Sequence, residues 1–419
     1  MTLPSLAPDR ASLPAAAVAG LYVHVPFCSS KCLYCDFYSI ARQPAQRMDR
    51  YVDLVISEAQ LWSAGRLGPL VRPCTVFIGG GTPTILPVSA LGRLLAGLRD
   101  ALDFSAISEW TVECNPATVS PESCALMRRL GVDRLSFGAQ SFEPAELATL
   151  QRRHNPPDVA RSIDLARQAG FRRLNLDLIY AIPGQDLASF SRSLDAVVAL
   201  GTEHISCYAL TYEPNTPLAV KRRQGRIQPV DDETELKMLH EARRRLALAG
   251  YRPYEISNYA RPGEECRHNL LYWNGGNYIG LGPAAASHVE GWRWRNRPHL
   301  GQWEDAIAHG RLPASDIEHL TPIQRAGELI MLQLRLADGV RFSNLYSQSG
   351  VDVRSEYAPL VDRLEELGLL RLTSDGFALT DSGINVADAI AGQFIQPVPP
   401  WQGKGLFPDH PTTSHSSPS

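Results

Sequence analysis

The stretch Leu21-Tyr22-Val23-His24-Val25-Pro26-Phe27-Cys28-Ser29-Ser30-Lys31-Cys32-Leu33-Tyr34-Cys35 decides the reading of this chain. Its first half is an apolar, β-branched run that reads as a buried strand stopped by Pro26. Its second half packs three cysteines into eight residues with the spacing C-x3-C-x2-C. The cysteines therefore sit on the loop leaving a strand, where a chain can wrap several thiolates around one centre. Structural zinc wants four closed ligands, often as two C-x-x-C knuckles, and no second knuckle is present. Iron–sulfur cubanes are held by cysteine thiolates, usually four, so three would leave one iron open to an exogenous molecule.

Two other readings of the triplet stay open at the level of the residues. The three could be reduced structural thiols, or they could form a Cys3His zinc site completed by His24 or His154 within an unrelated α/β enzyme. The remaining cysteines, Cys74, Cys114, Cys124, Cys207 and Cys266, are scattered and read as buried small hydrophobes.

Composition narrows the class. The chain has 419 residues, a net charge of −3 and 20% charged residues, which suits one large α/β domain with a smaller one and gives no basic tract for nucleic acid. No apolar stretch approaches the length of a membrane span. Residues 1–20 are rich in Ala, Pro and Leu but interrupted by Pro4, Asp9 and Pro14, so they read as a flexible tail and not as a signal peptide. Residues 396–419, rich in Pro, Ser and Thr, read as a disordered tail. A cytoplasmic location follows as the expectation.

From Leu21 to about Ser257, short strand-like runs alternate with amphipathic ones. Strands are expected at 75–78, 109–114, 134–137, 174–179 and 204–210, and helices near 48–64, 88–100, 121–130, 156–169, 187–200 and 232–249. Gly131, Gly170, Gly201 and Gly250 fall where helices should stop. The alternation predicts a parallel sheet with right-handed crossovers, curved into a full or partial (β/α) barrel whose site lies at the C-terminal strand ends. At those ends the sequence offers the cysteine loop, Gly79-Gly80-Gly81-Thr82-Pro83, Glu113, Gly138-Ala139-Gln140-Ser141, Asp177 and Pro183-Gly184-Gln185. Each alone reads equally as a turn or a satisfied acceptor; their shared position on one rim makes the site.

The barrel domain with its glycine- and aromatic-rich extension is expected over 21–300, and a C-terminal helical module over 301–395. The extension carries Cys266-Arg267-His268-Asn269-Leu270-Leu271-Tyr272-Trp273, whose histidine is either functional or part of a capped loop packed on the barrel. The module, with helices at Arg325–Leu336 and Leu360–Leu370 and a hairpin turning at Asp375-Gly376, has a winged-helix-like layout. Asp362, Glu365 and Glu366 on its second helix disfavour DNA, so it reads as a docking or lid element.

Taken together, these motifs resemble the radical S-adenosylmethionine (SAM) proteins, and within them the branch related to oxygen-independent coproporphyrinogen III oxidase. The resemblance runs from about Leu21 to Gln393. Pro26-Phe27-Cys28, Cys35-Asp36-Phe37 and the His268-Asn269-Leu270-Leu271-Tyr272-Trp273 stretch resemble the heme chaperone subgroup, HemW, with its HNxxYW element. The oxidases carry a fourth cysteine two residues after the third; Phe37 stands there instead.

The resemblance implies that Cys28, Cys32 and Cys35 ligate a [4Fe–4S] cluster whose fourth iron takes SAM. It implies that Tyr22 and Tyr34 flank the cofactor and that Gly80, Gly81 and Thr82 accept the SAM amino end, where a β-carbon would block the ligand. Glu113, Gln140, Arg152 and Asp177 would hold the methionyl and ribosyl groups, and His268 would hold heme. Two motifs depart from the pattern without losing their polar or turn-forming residues, Ala181-Ile182-Pro183-Gly184-Gln185 and Gly138-Ala139-Gln140. In Pro283-Ala284-Ala285-Ala286-Ser287-His288 the relatives' histidine position is Ala286, with His288 two residues on. The function implied is heme binding and delivery to acceptor proteins, membrane respiratory enzymes being the expected class, with no nucleic acid partner and a homodimer admissible. The alternative is the oxidase itself, oxidatively decarboxylating porphyrinogen propionates; the Phe37 departure tells against such turnover.

Overall fold

A computed structural model describes residues 17–395; the two expected tails fall largely outside them. Twelve strands form one mixed sheet: β1 (Val18–Val25), β2 (Val71–Gly80), β3 (Glu109–Cys114), β4 (Arg134–Gln140), β5 (Arg173–Tyr180), β6 (His204–Ala209), β7 (Arg252–Pro253), β8 (Asn258–Ala260), β9 (Tyr278–Leu281), β10 (Ala286–Val289), β11 (Trp292–Asn296) and β12 (Ala314–His319). The order across the sheet is β12-β11-β10-β9-β1-β2-β3-β4-β5-β6-β8-β7. The pairs from β9 through β1 to β6 are parallel, and antiparallel strands finish both edges. The edges do not pair with each other, so the sheet is open. The first strand begins at Val18, three residues earlier than the sequence suggested.

Each strand from β1 to β6 lies beside its predecessor. With right-handed crossovers, that order sends every connecting helix to the same face. The helices Ala45–Ala64, Val88–Ala101, Pro121–Arg129, Pro156–Gln168, Leu187–Leu200 and Asp232–Leu248 match the expected ranges to within a few residues. The four stop glycines have φ of +103°, +88°, +63° and +87° at 131, 170, 201 and 250, the left-handed geometry that ends a helix with no β-carbon penalty.

Alternation along the strands separates two environments. One parity (Val76 and Ile78, Trp110 and Val112, Leu135 and Phe137, Leu174 and Leu176, Ile205) enters the apolar core under the helices. The other parity faces inward and is polar. In register across the sheet stand Glu113, Ser136, Asn175 and His204, and above them Gly138, Asp177 and Ser206. The first of these rows climbs from near the end of β3 to the start of β6, the stagger an arc of barrel requires. The structure is therefore the expected partial barrel.

The second unit begins later than expected. The helix Leu300–Ala308 packs on Ala45–Ala64, and β12 extends the main sheet to His319, so the first domain runs to about Leu320 and not to 300. Trp294 and Trp303 belong to the same core as the strands. Beyond it, helices from Pro322–Gln333 onward and a three-stranded sheet of Val340–Arg341, Gly376–Leu379 and Leu370–Thr373 enclose a separate core around Leu329, Ile330, Phe377 and Phe394. Arg325 fastens this unit to the barrel extension through the Gly275 carbonyl at 2.5 Å. No helix among the described residues is long and apolar enough to cross a membrane.

Candidate active site

The cysteine loop is pinched at its base. Phe27–Cys28 pairs in parallel with Ile40–Ala41, with Ile40 N–H donating to Pro26 O and Arg42 N–H to Cys28 O. Its tip is tied to neighbouring rim loops by Leu33 N–H to Leu150 O and Leu218 N–H to Leu33 O. So held, Cys28, Cys32 and Cys35 line one cavity of about 1090 Å³ that passes down the barrel interior to Arg134, His204, Cys266 and Asn269.

Around the thiols the donors are ordered. Thr82 donates its hydroxyl to Cys28 Sγ at 3.7 Å, and Arg152 donates Nη1–H to Cys32 Sγ at 3.6 Å and Nη2–H to Gly138 O at 2.6 Å. Burial pushes the Cys28 thiol up and the Cys35 thiol up to about 11. Arg152 leaves its Nε–H buried with no partner, an unused donor on the cavity wall.

The strand ends supply the acids. Glu113 accepts from Gly80 N–H at 3.1 Å, and Asp177 accepts from Asn175 Nδ2 at 2.8 Å and Ser136 Oγ at 3.4 Å. Burial, with Asp177 facing it, pushes Glu113 up to about 7; burial raises Asp177 as well. Asp177 also feels the Arg152 guanidinium, so Glu113 is the acid left without a countercharge and the better seat for a cation. A β-bulge between Gly138 and Gln140 turns Gln140 to φ +67°, a strained setting for a side chain other than glycine, and leaves Gln140 lining the cavity. Tyr34 lines it too, its phenol raised by burial.

The glycine loop is also constrained from within the chain. A β-carbon on Gly81 would lie 2.6 Å from Phe27 O and 2.7 Å from Val25 O, and one on Gly80 would lie 2.4 Å from the His24 ring. Gly81 N–H and Thr82 N–H are already given to Val25 O and Phe27 O at 2.8 and 2.7 Å. The packing against His24, Val25 and Phe27 by itself demands the glycines.

Two expected residues stand back from the cavity. Tyr22 is behind Phe77 and gives its hydroxyl to His24 Nδ1 at 3.0 Å. His268 is 1% exposed on the helix Arg267–Trp273, hydrogen-bonded through Nδ1 to Thr75 Oγ1 at 2.9 Å and packed between Phe77 and Tyr272. Its Nε2 has no partner, and burial lowers the ring to about 4. In this arrangement His268 is enclosed, with the helix that carries it packed on β1 and β2. His288 spends both ring nitrogens, on Gly276 O and Gly291 N–H, each at 3.1 Å. For the zinc reading, His24 has both nitrogens engaged, while His154 gives Nε2 to Ala139 O and keeps Nδ1 without a partner. Sequence reading missed Ser136, Asn175, His204 and Ser206 on the cavity wall. Their shared strand parity with Glu113 and Asp177 was the available signal.

The chain matches the radical SAM superfamily over residues 22–197 and the HemN C-terminal domain over 320–386. A Mycobacterium tuberculosis (strain ATCC 25618 / H37Rv) protein named heme chaperone HemW is 38% identical over 373 residues, 88% of this chain and 93% of its own length. The chain belongs to the HemW family. HemW relatives include one from Bacillus subtilis (strain 168), 33% identical over 89% of this chain and 98% of its own. Another, from Escherichia coli (strain K12), is 40% identical over 64% and 70%. Among solved structures, coproporphyrinogen III oxidase (HemN) from Escherichia coli, titled a radical SAM enzyme, superposes with a TM-score of 0.79 at 23% identity over 90% of both chains, a likeness of fold.

Radical SAM membership implies a [4Fe–4S] cluster and SAM. The residues present fit both: three thiols on one pinned loop, donors aimed at two of their sulfurs, an unpaired Arg152 N–H, and an acid, Glu113, suited to a cation, all on one cavity.

Proposed function

We propose that this chain binds heme and passes it to an acceptor protein, with a SAM-coordinated [4Fe–4S] cluster at the barrel rim. The names of its HemW relatives support the reading, and membrane respiratory enzymes are the acceptor class we assign. The observation that carries it against the oxidase alternative is Phe37. At the position of the oxidases' fourth cysteine, this side chain is 65% exposed and can supply neither ligand nor proton.

Cys28, Cys32 and Cys35 are the cluster ligands in this reading. The bound cluster would supply low-potential electron chemistry. The protein's share is to place and tune. Thr82 and Arg152 stabilise negative charge on the sulfurs, and Arg152 also suits a carboxylate. Gly80, Gly81 and Thr82 border the amino end with Glu113 as the acceptor an ammonium needs. Asp177 suits ribose hydroxyls, and Gln140 and Tyr34 bound the remaining walls.

The test is a hemin titration of anaerobically reconstituted protein, paired with turnover of coproporphyrinogen III in the presence of reductant and SAM. We expect saturable heme binding and no protoporphyrinogen. Robust turnover without saturable heme binding reverses the choice in favour of the oxidase.

A further inference from the structure

With His268 enclosed, the heme-chaperone reading needs another place for a large planar ligand. Among the described residues of the barrel domain, the only exposed aromatic side chains are Phe37 and Tyr208, at 65% and 40%. Both line the cavity that holds the cysteines. An exposed aromatic pair beside a cavity marks a binding surface more often than a lone apolar residue does. Lys31 and Arg153 line the same cavity, are exposed, and have side chains in no ion pair or hydrogen bond with another described residue. Asp36 and Glu213 also border it, so the field there is mixed. At about 1090 Å³ the cavity exceeds the span of roughly 300–1,000 Å³ usual for one small ligand.

We propose that heme docks at the mouth of this cavity, its ring against Phe37 and Tyr208 and its propionates toward Lys31 and Arg153. The inference rests on the heme-chaperone reading and gives it a location. Flat apolar area on aromatic faces and two cations for its two carboxylates are what a porphyrin dipropionate requires. The position sets heme over the loop that carries the three thiols, at the end of the barrel opposite His268.

The test titrates hemin and its dimethyl ester into reconstituted protein, with iron content and SAM affinity measured on each variant. Phe37→Ser keeps the backbone of the loop and should weaken both porphyrins by about tenfold, as expected for loss of an aromatic face. Lys31→Glu with Arg153→Glu should weaken hemin by at least about tenfold while leaving the uncharged ester within about twofold, because only propionate pairing is removed. Asp36→Asn should tighten hemin slightly. Hemin binding unchanged in both variants overturns the location while leaving the chaperone reading intact. SAM weakened by Phe37→Ser as much as hemin assigns the ring to the adenine and also overturns it. No saturable heme binding by the unmodified chain is the separate failure of the reading itself.

Discussion

At the base of the barrel, Glu109 accepts from Arg267 N–H, His268 N–H and the Cys266 thiol. Arg173 binds Glu109, Asp133 and Glu264 at 2.9, 2.8 and 3.1 Å, and Arg134 forks onto Glu264 O. Every strong charge there has a protein partner. At the rim, Glu113 is pushed up to about 7, Arg152 keeps an unpaired N–H, and three thiols share one cavity. Both ends are polar and buried. At the base the carboxylates and guanidiniums are paired with one another and it is the neutral His268 Nε2 that lacks a partner, whereas at the rim a charged donor, Arg152 Nε–H, is left over. Perturbed groups are informative about function when their partners are missing, more than when they are merely charged.

That contrast can be broken at either end. The largest effect is expected at the rim: Cys32→Ala should take anaerobically reconstituted protein from about four irons per chain to none, by metal analysis and visible spectrum. Full iron with an unchanged spectrum would sink the cluster assignment. At the base, Glu109→Ala leaves Arg173 and a helix end without their buried acceptor and should cost about 3–5 kcal/mol in denaturant unfolding. Asp177→Asn at the rim should leave the unfolding midpoint nearly unchanged while abolishing SAM binding by calorimetry. The reverse pattern would erase the distinction.

His268→Ala sharpens the base further. Loss of ring packing and of the Thr75 hydrogen bond should cost about 2–4 kcal/mol of stability and leave heme affinity alone. A heme-specific defect in a fully stable variant returns His268 to the binding site. The smallest effect concerns pH. Burial and the facing Asp177 push Glu113 up to about 7, and its anionic form is the one that attracts a cation, so SAM affinity should be full above that value and fall on acidification. Between about pH 8 and pH 6 the drop should be about tenfold, and Glu113→Gln should flatten it.

The barrel was legible because its strands are short apolar runs and its helices stop at glycines, both local signals. The cysteine spacing was legible for the same reason. The packing around His268 and the glycine triplet was not, since its partners lie far away in sequence. His268 is held by Thr75, 193 residues distant, and its backbone by Glu109, 159 residues distant. Gly81 answers to the carbonyls of Val25 and Phe27. Asn175, His204 and Ser206 looked like ordinary polar residues in strands until register aligned them with Glu113 and Asp177.

The seam between the glycine loop and the strand entering the cysteine loop has a consequence in time. Gly81 and Thr82 hydrogen-bond Val25 and Phe27 without help from any ligand, and the cysteine loop is closed at Ile40 and Arg42 by its own backbone. These bonds belong to the chain itself and form as it folds, whereas in a zinc finger the metal ligands themselves carry the fold. Cysteine variants that lose iron should therefore keep the fold, read as an unchanged denaturant midpoint.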